Sequence, residues 1–149
     1  MVDVGALAAR QLEDYDTHQP GTLFAEGVVL NVQQAYELQH AVAKLRFQRG
    51  ERLIGYKVGC TSAAIQAQLK ISHRVRGFLF DTEQYESGVA LARQSFDNLA
   101  IEGELAIELS REPRDEDFTD HLLPPCISRI FPVIELHNHV MRGQQASAG

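Results

Sequence analysis

Carboxylates are the residues of this sequence whose spacing most directly suggests chemistry. Glu102 and Glu104 lie two positions apart in LAIEGELAIEL (99–109), where apolar residues alternate with more polar ones. That alternation predicts a β-strand. Side chains two apart on a strand point to the same face, with Cα atoms about 6.6 Å apart. Two carboxylates this close repel each other unless a cation or protons intervene.

A third carboxylate, Glu135, lies among apolar neighbours in a second predicted strand, VIELHNH (133–139). Carboxylate oxygens are hard ligands that suit Mg²⁺ or Mn²⁺. The three glutamates therefore indicate a candidate metal site. The competing interpretation is a solvated strand face that carries acidic side chains and binds nothing.

Lys57 is a candidate for contact with an anionic ligand. It lies in a predicted strand, LIGYKVG (53–59), between Gly55 and Gly59, which share its face. Because neither glycine has a side chain, a ligand could approach both the backbone and the ammonium group. A lysine near a metal can bind a carboxylate or help move a proton. An exposed strand lysine without such a role is the alternative.

Thr61 and Ser62 follow this strand and open a predicted helix over residues 62–69, with Thr61 as its cap. The free amides at a helix N-terminus could hold a substrate carboxylate. Simple capping is the alternative, so both interpretations stay open at this point.

Helices are predicted to precede these strands. Apolar residues near positions 6–12 predict a short N-terminal helix, and residues 16–27 are predicted to form a loop. Asn31 is a predicted N-cap, and Gly50 marks the end of the helix that follows. Apolar residues recur in that helix at steps of three and four: Val32, Ala35, Leu38, Val42 and Leu45.

Composition excludes several classes of function. The chain has 149 residues, enough for one ordinary domain, and a net charge of −6 without a basic patch of the kind nucleic acid requires. Cys60 and Cys126 form neither a CxxC pair nor a zinc-binding spacing, which predicts free thiols in a reducing cytosol. No apolar run approaches the roughly 20 residues of a membrane span, and the N-terminus is unlike a secretory signal. We therefore expect a soluble cytoplasmic protein that binds neither nucleic acid nor membranes.

Five motifs occur in an order that resembles one known family. They are QAYELQ (34–39), GYKVGCTS (55–62), GFLFD (77–81), IEGELAIEL (101–109) and PVIEL (132–136). Together they resemble the 2-keto-4-pentenoate hydratase and 4-oxalocrotonate decarboxylase family of the fumarylacetoacetate hydrolase superfamily. The resemblance covers residues from about 30 to 143.

The resemblance implies an α+β fold with an N-terminal helical region (1–50), followed by an incomplete mixed β-roll domain (51–149). It implies a metal-dependent lyase, a hydratase or a decarboxylase, that acts on small 2-oxo or 2-hydroxy-alkenoic acids and forms a homo-oligomer. In the family, the matching residues give Glu102, Glu104 and Glu135 as ligands of Mg²⁺ or Mn²⁺ and Lys57 as a catalytic residue at the substrate pocket. Thr61 and Ser62 are the predicted substrate-binding residues beside it.

The sequence also departs from the family. Beyond Glu135 the family usually has an acidic residue, then Ser and Arg, whereas here Asn138 replaces the acid and the Arg is absent. His137 and His139 share a predicted strand face with Glu135, which would permit a nitrogen-containing metal site.

Two other functions remain open at this stage. One is a C–C bond hydrolase that acts on acylpyruvates, for which His73 or His121 could serve as general base. The other is a non-catalytic remnant that only oligomerises or binds a partner. It is suggested because the sequence ends within what resembles the catalytic domain. A fragment, a truncated product and a shortened homologue completed by a partner are the three explanations expected for that length.

Overall fold

The computed structural model describes residues 3–119 and 123–138. His121 and His139 lie outside the described residues. The described chain forms two compact units, residues 3–97 and residues 98–138, which are considered separately below. It is an α+β protein with three α-helices and two small antiparallel sheets, as the sequence predicts at that level. The division predicted from the sequence, 1–50 and 51–149, stays a prediction.

The first unit begins with two packed helices, α1 (Val4–Asp16) and α2 (Val32–Gln48). The Asp3 carboxylate caps α1 by accepting a hydrogen bond from the Ala6 amide at 3.0 Å. A reciprocal capping box starts α2, in which Asn31 accepts from the Gln34 amide and the Gln34 side chain accepts from the Asn31 amide. The predicted N-cap at Asn31 is therefore confirmed. The helix ends just before Gly50, whose φ of 96° favours glycine.

The inward face of α2 overlaps in part with the predicted apolar positions, of which one is buried, Leu38, and three are half-buried, Ala35, Val42 and Leu45. Leu38, Ala43 and Arg46 are its buried residues, whereas Val32 is exposed. The Arg46 guanidinium is held by Glu51, which also accepts a hydrogen bond from the Thr82 hydroxyl at 2.6 Å. A charged residue thus takes a buried helical position because a buried carboxylate pairs with it.

A hairpin of β1 (Leu53–Gly59) and β2 (Val75–Phe80) follows, with α3 (Ala63–Leu69) in its connection. The strands are antiparallel, and Lys57 lies opposite Gly77. Strand β1 has the predicted bounds and alternation. The predicted cap of α3 is wrong by one residue, because Ser62 rather than Thr61 accepts the hydrogen bond from the Ile65 amide, at 3.2 Å.

The second unit is a longer hairpin of β3 (Leu99–Leu109) and β4 (Ile127–Asn138), paired antiparallel. Both strands are predicted from the sequence, but β4 begins earlier than expected. Pro132, expected to precede the strand, lies inside it opposite Leu105. Proline lacks an amide hydrogen and is tolerated on edge strands, and β4 pairs on one side only within the described residues.

Both sheets have two strands, and every strand pair among residues 3–119 and 123–138 is antiparallel. None of the helices in this part of the chain is long and apolar enough to cross a membrane.

Candidate metal centre

The register of β3 and β4 brings the three predicted carboxylates to one face. Glu102 lies directly opposite Glu135, and Glu104 lies opposite Val133, one position along the same face. Directly opposed residues of an antiparallel pair share a face with Cβ atoms about 5 Å apart. Two features therefore bring the three carboxylates together. The i, i+2 spacing places Glu102 and Glu104 on one face, and the strand register, which local sequence does not determine, places Glu135 opposite Glu102.

One carboxylate oxygen from each of Glu102, Glu104 and Glu135 lies within 4.8 Å of the others. Glu102 is exposed, whereas Glu104 and Glu135 are half-buried. Two oxygens bound to one Mg²⁺ at about 2.1 Å are separated by about 3 to 4 Å. Small side-chain rotations would reach that separation, so this set of oxygen donors fits a hard divalent cation.

His137 of β4 does not extend this cluster. His137 lies on the same face, opposite Ala100, and is exposed. It is not among the mutually close ligand atoms found within the described residues. Among the described residues, the carboxylates therefore form the cluster without His137.

An ion pair in the β3–β4 connection secures the far end of this hairpin. The almost fully buried Asp117 carboxylate accepts from both terminal nitrogens of Arg111, at 2.7 and 2.6 Å, and from the Arg114 amide at 2.8 Å. These hydrogen bonds hold the pKa of Asp117 well below its usual range. The Arg111 guanidinium has the largest effect and the Arg114 amide the second largest. The charged run REPRDED predicts only a loop, because its sequence does not specify which of its acidic residues pairs with Arg111.

Lys57 occupies the expected position on β1, in the first unit. It is half-buried opposite Gly77, and Gly55 and Gly59 share its face. A Cβ atom added at Gly77 would meet nothing within 4 Å, so the hairpin is open directly opposite the lysine, whereas a Cβ atom at Gly59 would meet the Val75 side chain at 3.2 Å. Its predicted catalytic role stays a prediction.

Thr61 and Ser62 are both exposed, and Ser62 caps α3. Cys60, just before them, adopts a left-handed φ of 54°, and its carbonyl accepts a hydrogen bond from the Gln66 side chain at 2.7 Å. Such a backbone at a non-glycine residue is uncommon and gives a sharp turn from β1 into α3. No residue type in the sequence signals this turn, and the predicted substrate contacts of Thr61 and Ser62 stay predictions.

His73, one candidate base for a hydrolase, lies between α3 and β2. Its Nε2 atom is buried and has no hydrogen-bond partner within the described part of the chain. A general base must reach the proton it removes, and this nitrogen is closed to solvent in the conformation described.

No family model matches the chain. It is 34% identical over 109 residues to a 2-hydroxyhexa-2,4-dienoate hydratase of Comamonas testosteroni, covering 72% of this chain and 41% of that protein. It is 33% identical over 115 residues to a 2-hydroxypent-2,4-dienoate hydratase of Pseudomonas putida, covering 76% and 52%. The chain belongs to the 2-keto-4-pentenoate hydratase and 4-oxalocrotonate decarboxylase family. The resemblance inferred from the five motifs is thereby confirmed.

A solved structure has the same fold as this chain. The 4-oxalocrotonate decarboxylase from Pseudomonas putida G7, complexed with magnesium and adipate, superposes with a TM-score of 0.81 at 21% identity. The match covers 95% of this chain and 54% of the decarboxylase. The chain therefore spans between 41% and 54% of the length of these three relatives.

Proposed function

We propose that the chain carries the divalent-metal site of a hydratase-like lyase that acts on small 2-oxo or 2-hydroxy-alkenoic acids. The observation that carries this proposal is the convergence of the Glu102, Glu104 and Glu135 oxygens within 4.8 Å on one face of a hairpin. The named activities of the two hydratases and the magnesium in the decarboxylase crystal support it. Because the chain spans only part of these relatives, the activity of a complete enzyme is itself part of the proposal.

The three glutamates would hold Mg²⁺ or Mn²⁺ through one oxygen each, which leaves other coordination positions for water and substrate. When bound, the ion would supply Lewis-acid stabilisation of the negative charge that develops on a 2-oxo acid. Glu102 and Glu135 lie on opposing strands, so the hairpin register sets the separation of the ligands.

Lys57 would stabilise negative charge on the substrate or help transfer a proton. Gly77 supports this role, since it lies opposite Lys57 and leaves open space there, whereas the side chains of Leu79 and Val75 border the positions of Gly55 and Gly59. The Ser62 hydroxyl is engaged as the cap of α3, so Thr61 and backbone amides near it are the better candidates for contact with a substrate carboxylate. In this proposal the two hairpins are parts of the mixed β-roll expected for the superfamily.

Metal binding can be tested apart from catalysis by titrating the purified chain with Mn²⁺ and following free Mn²⁺ by electron paramagnetic resonance. Glu135→Gln should weaken binding by about tenfold or more, because one of three anionic ligands loses its charge. Glu108→Gln is the matched control. Glu108 lies on the same face of β3 but is paired with Arg129 at 2.5 Å. Equal binding by both variants and the unaltered chain would contradict the proposed ligands.

Activity is tested with 2-hydroxypenta-2,4-dienoate and Mg²⁺, by loss of substrate absorbance with and without a chelator. We expect turnover that the chelator abolishes and that Lys57→Met reduces with little change in Mn²⁺ binding. Turnover of an acylpyruvate instead would favour the C–C hydrolase. A lack of turnover with either substrate, combined with intact Mn²⁺ binding, would restrict the chain to a metal-binding role.

A further inference from the structure

His137 is a polar residue beside the three candidate metal ligands to which the proposed function gives no role. The register of β3 and β4 places it opposite Ala100, on the same face as the carboxylates. Residues two apart on a strand have Cα atoms about 6.6 Å apart, and His137 has this relation to Glu135. Its nitrogen atoms are not part of the cluster of mutually close ligand atoms. His137 therefore lies one position beyond the candidate metal site and on the same face.

The end of the hairpin fixes the position of His137. The Asn138 side chain accepts a hydrogen bond from the Asn98 amide at 3.3 Å, just beyond the pair that His137 forms with Ala100. Alanine contributes only a methyl group to the face that carries the carboxylates. An imidazole N–H at this position can donate a hydrogen bond to an oxygen atom of a ligand.

The same face offers a different environment in the other direction along the hairpin. Past the carboxylates, Ala106 lies opposite Phe131, and Glu108 lies opposite Arg129. The Arg129 guanidinium pairs with Glu108 at 2.5 Å and lies over the Phe131 ring, 4.5 Å from its centroid. The cation at that end is thus already engaged, whereas His137 places a hydrogen-bond donor closer to the three carboxylates.

A ligand with a second carboxylate needs a donor of this kind. Three carboxylates and one divalent cation leave one net negative charge at the candidate site, and the whole chain has a net charge of −6. A distal carboxylate is therefore repelled at this face unless a hydrogen bond compensates for the repulsion. A hydrogen bond to a charged group is a strong one, and it typically changes an affinity by about tenfold or more.

The spacing along β4 matches the length of a six-carbon diacid. With C–C bonds of about 1.5 Å, an extended six-carbon chain spans about 6 Å between its end carbons. We propose that His137 is a specificity-determining residue whose imidazole N–H binds the distal carboxylate of a 2-oxo diacid. The 2-oxo acid end of that ligand is held at the metal site, so this inference rests on the proposed function and narrows its substrate class.

The test is isothermal titration calorimetry of the purified chain with saturating Mn²⁺, in which 2-oxoadipate is compared with 2-oxohexanoate. The two acids have the same length and differ only at the sixth carbon. We expect 2-oxoadipate to bind about tenfold more tightly. His137→Val should remove this preference and leave the binding of Mn²⁺ and of 2-oxohexanoate unchanged. His137→Gln should keep part of the preference, because the glutamine amide also donates hydrogen bonds.

Arg129→Met is the matched control, because it removes a cation from the same face at the other end of the strand pairing. The preference for 2-oxoadipate should survive this change, and circular dichroism establishes that each variant folds. A preference that persists in His137→Val or disappears in Arg129→Met would overturn this proposal. Mn²⁺ binding without binding of either acid, or with equal binding of both, would overturn it as well. A chain that binds no Mn²⁺ would overturn the proposed metal site too, so the two failures are distinguishable.

Discussion

The buried carboxylate of Glu51 allows a quantitative test of what holds the first unit together. Its side chain is 6% exposed and accepts hydrogen bonds from Arg46, Arg49 and Thr82. Burial by itself disfavours the charged carboxylate. The hydrogen bonds from Arg46, Thr82 and Arg49 outweigh that effect and lower the pKa of Glu51 from its ordinary 4.5 to about 2.

We predict that Glu51→Gln lowers the free energy of unfolding by about 2 kcal/mol near neutral pH. A pKa change of this size corresponds to about 3 kcal/mol, at about 1.4 kcal/mol per pH unit. The glutamine keeps some of the hydrogen bonds. Arg46 also retains Glu83 at 3.0 Å, and Arg49 retains Asp16 at 2.6 Å. These remaining partners reduce the expected loss below the full value.

The lowered pKa of Glu51 also determines how its contribution to the free energy of unfolding depends on pH. A depressed pKa in the folded state contributes stability that is fully present above about pH 4.5 and is lost as pH falls towards 2. The assay is urea unfolding followed by circular dichroism at several pH values. The difference between the unaltered chain and Glu51→Gln should shrink steadily below about pH 4.5.

Glu26→Gln is the control for burial. Hydrogen bonds from Arg10 and Thr22 also lower the pKa of Glu26 to about 2, but the Arg10–Glu26 pair is exposed at 42% and 49%. Solvent screens such pairs, so this variant should change stability much less. A constant Glu51→Gln effect across the pH range, or an equally large effect of Glu26→Gln, would refute the reasoning.

Three further predictions follow from single contacts. Asn31→Ala should lower the free energy of unfolding, measured by urea unfolding, by about 1 kcal/mol because the capping box is lost. Asn31→Asp should keep most of the stabilisation from the cap, because aspartate also accepts hydrogen bonds there. Burial and the hydrogen bond to Glu83 raise the pKa of Tyr15, so the stability they contribute is present below about pH 10 and is lost at higher pH. A tyrosinate absorbance titration should therefore lose its highest-pH transition in Tyr15→Phe. Asp117→Asn should speed amide exchange in residues 110–118, because Arg111 loses its bidentate carboxylate; unchanged exchange would contradict that anchoring role.

Local periodicity accounts for the parts of the fold that were predicted correctly. The alternation of LIGYKVG gives β1 its observed bounds, and Asn31 gives α2 its start. The i, i+2 spacing of Glu102 and Glu104 likewise places both on one face, because a strand has a period of two.

The features that were missed depend on how the chain folds back on itself, which local periodicity does not reveal. Arg46 occupies a buried position of α2 only because Glu51 and Glu83 reach it. Pro132 is accommodated within β4, and that could not be known before the pairing of the strand was known. Glu135 meets the other two glutamates through the cross-strand register, which the spacing of residues within either strand does not determine.

The directly opposed glutamates have a consequence for how the β3–β4 hairpin opens and closes. A two-stranded hairpin is only marginally stable by itself, and Glu102 and Glu135 lie opposite each other on two strands that are joined by a long connection. A cation bound by both residues would hold the two strands together reversibly. Part of its binding free energy would be used to keep the strands paired. A change that weakens cation binding should therefore also lower the free energy needed to separate β3 from β4.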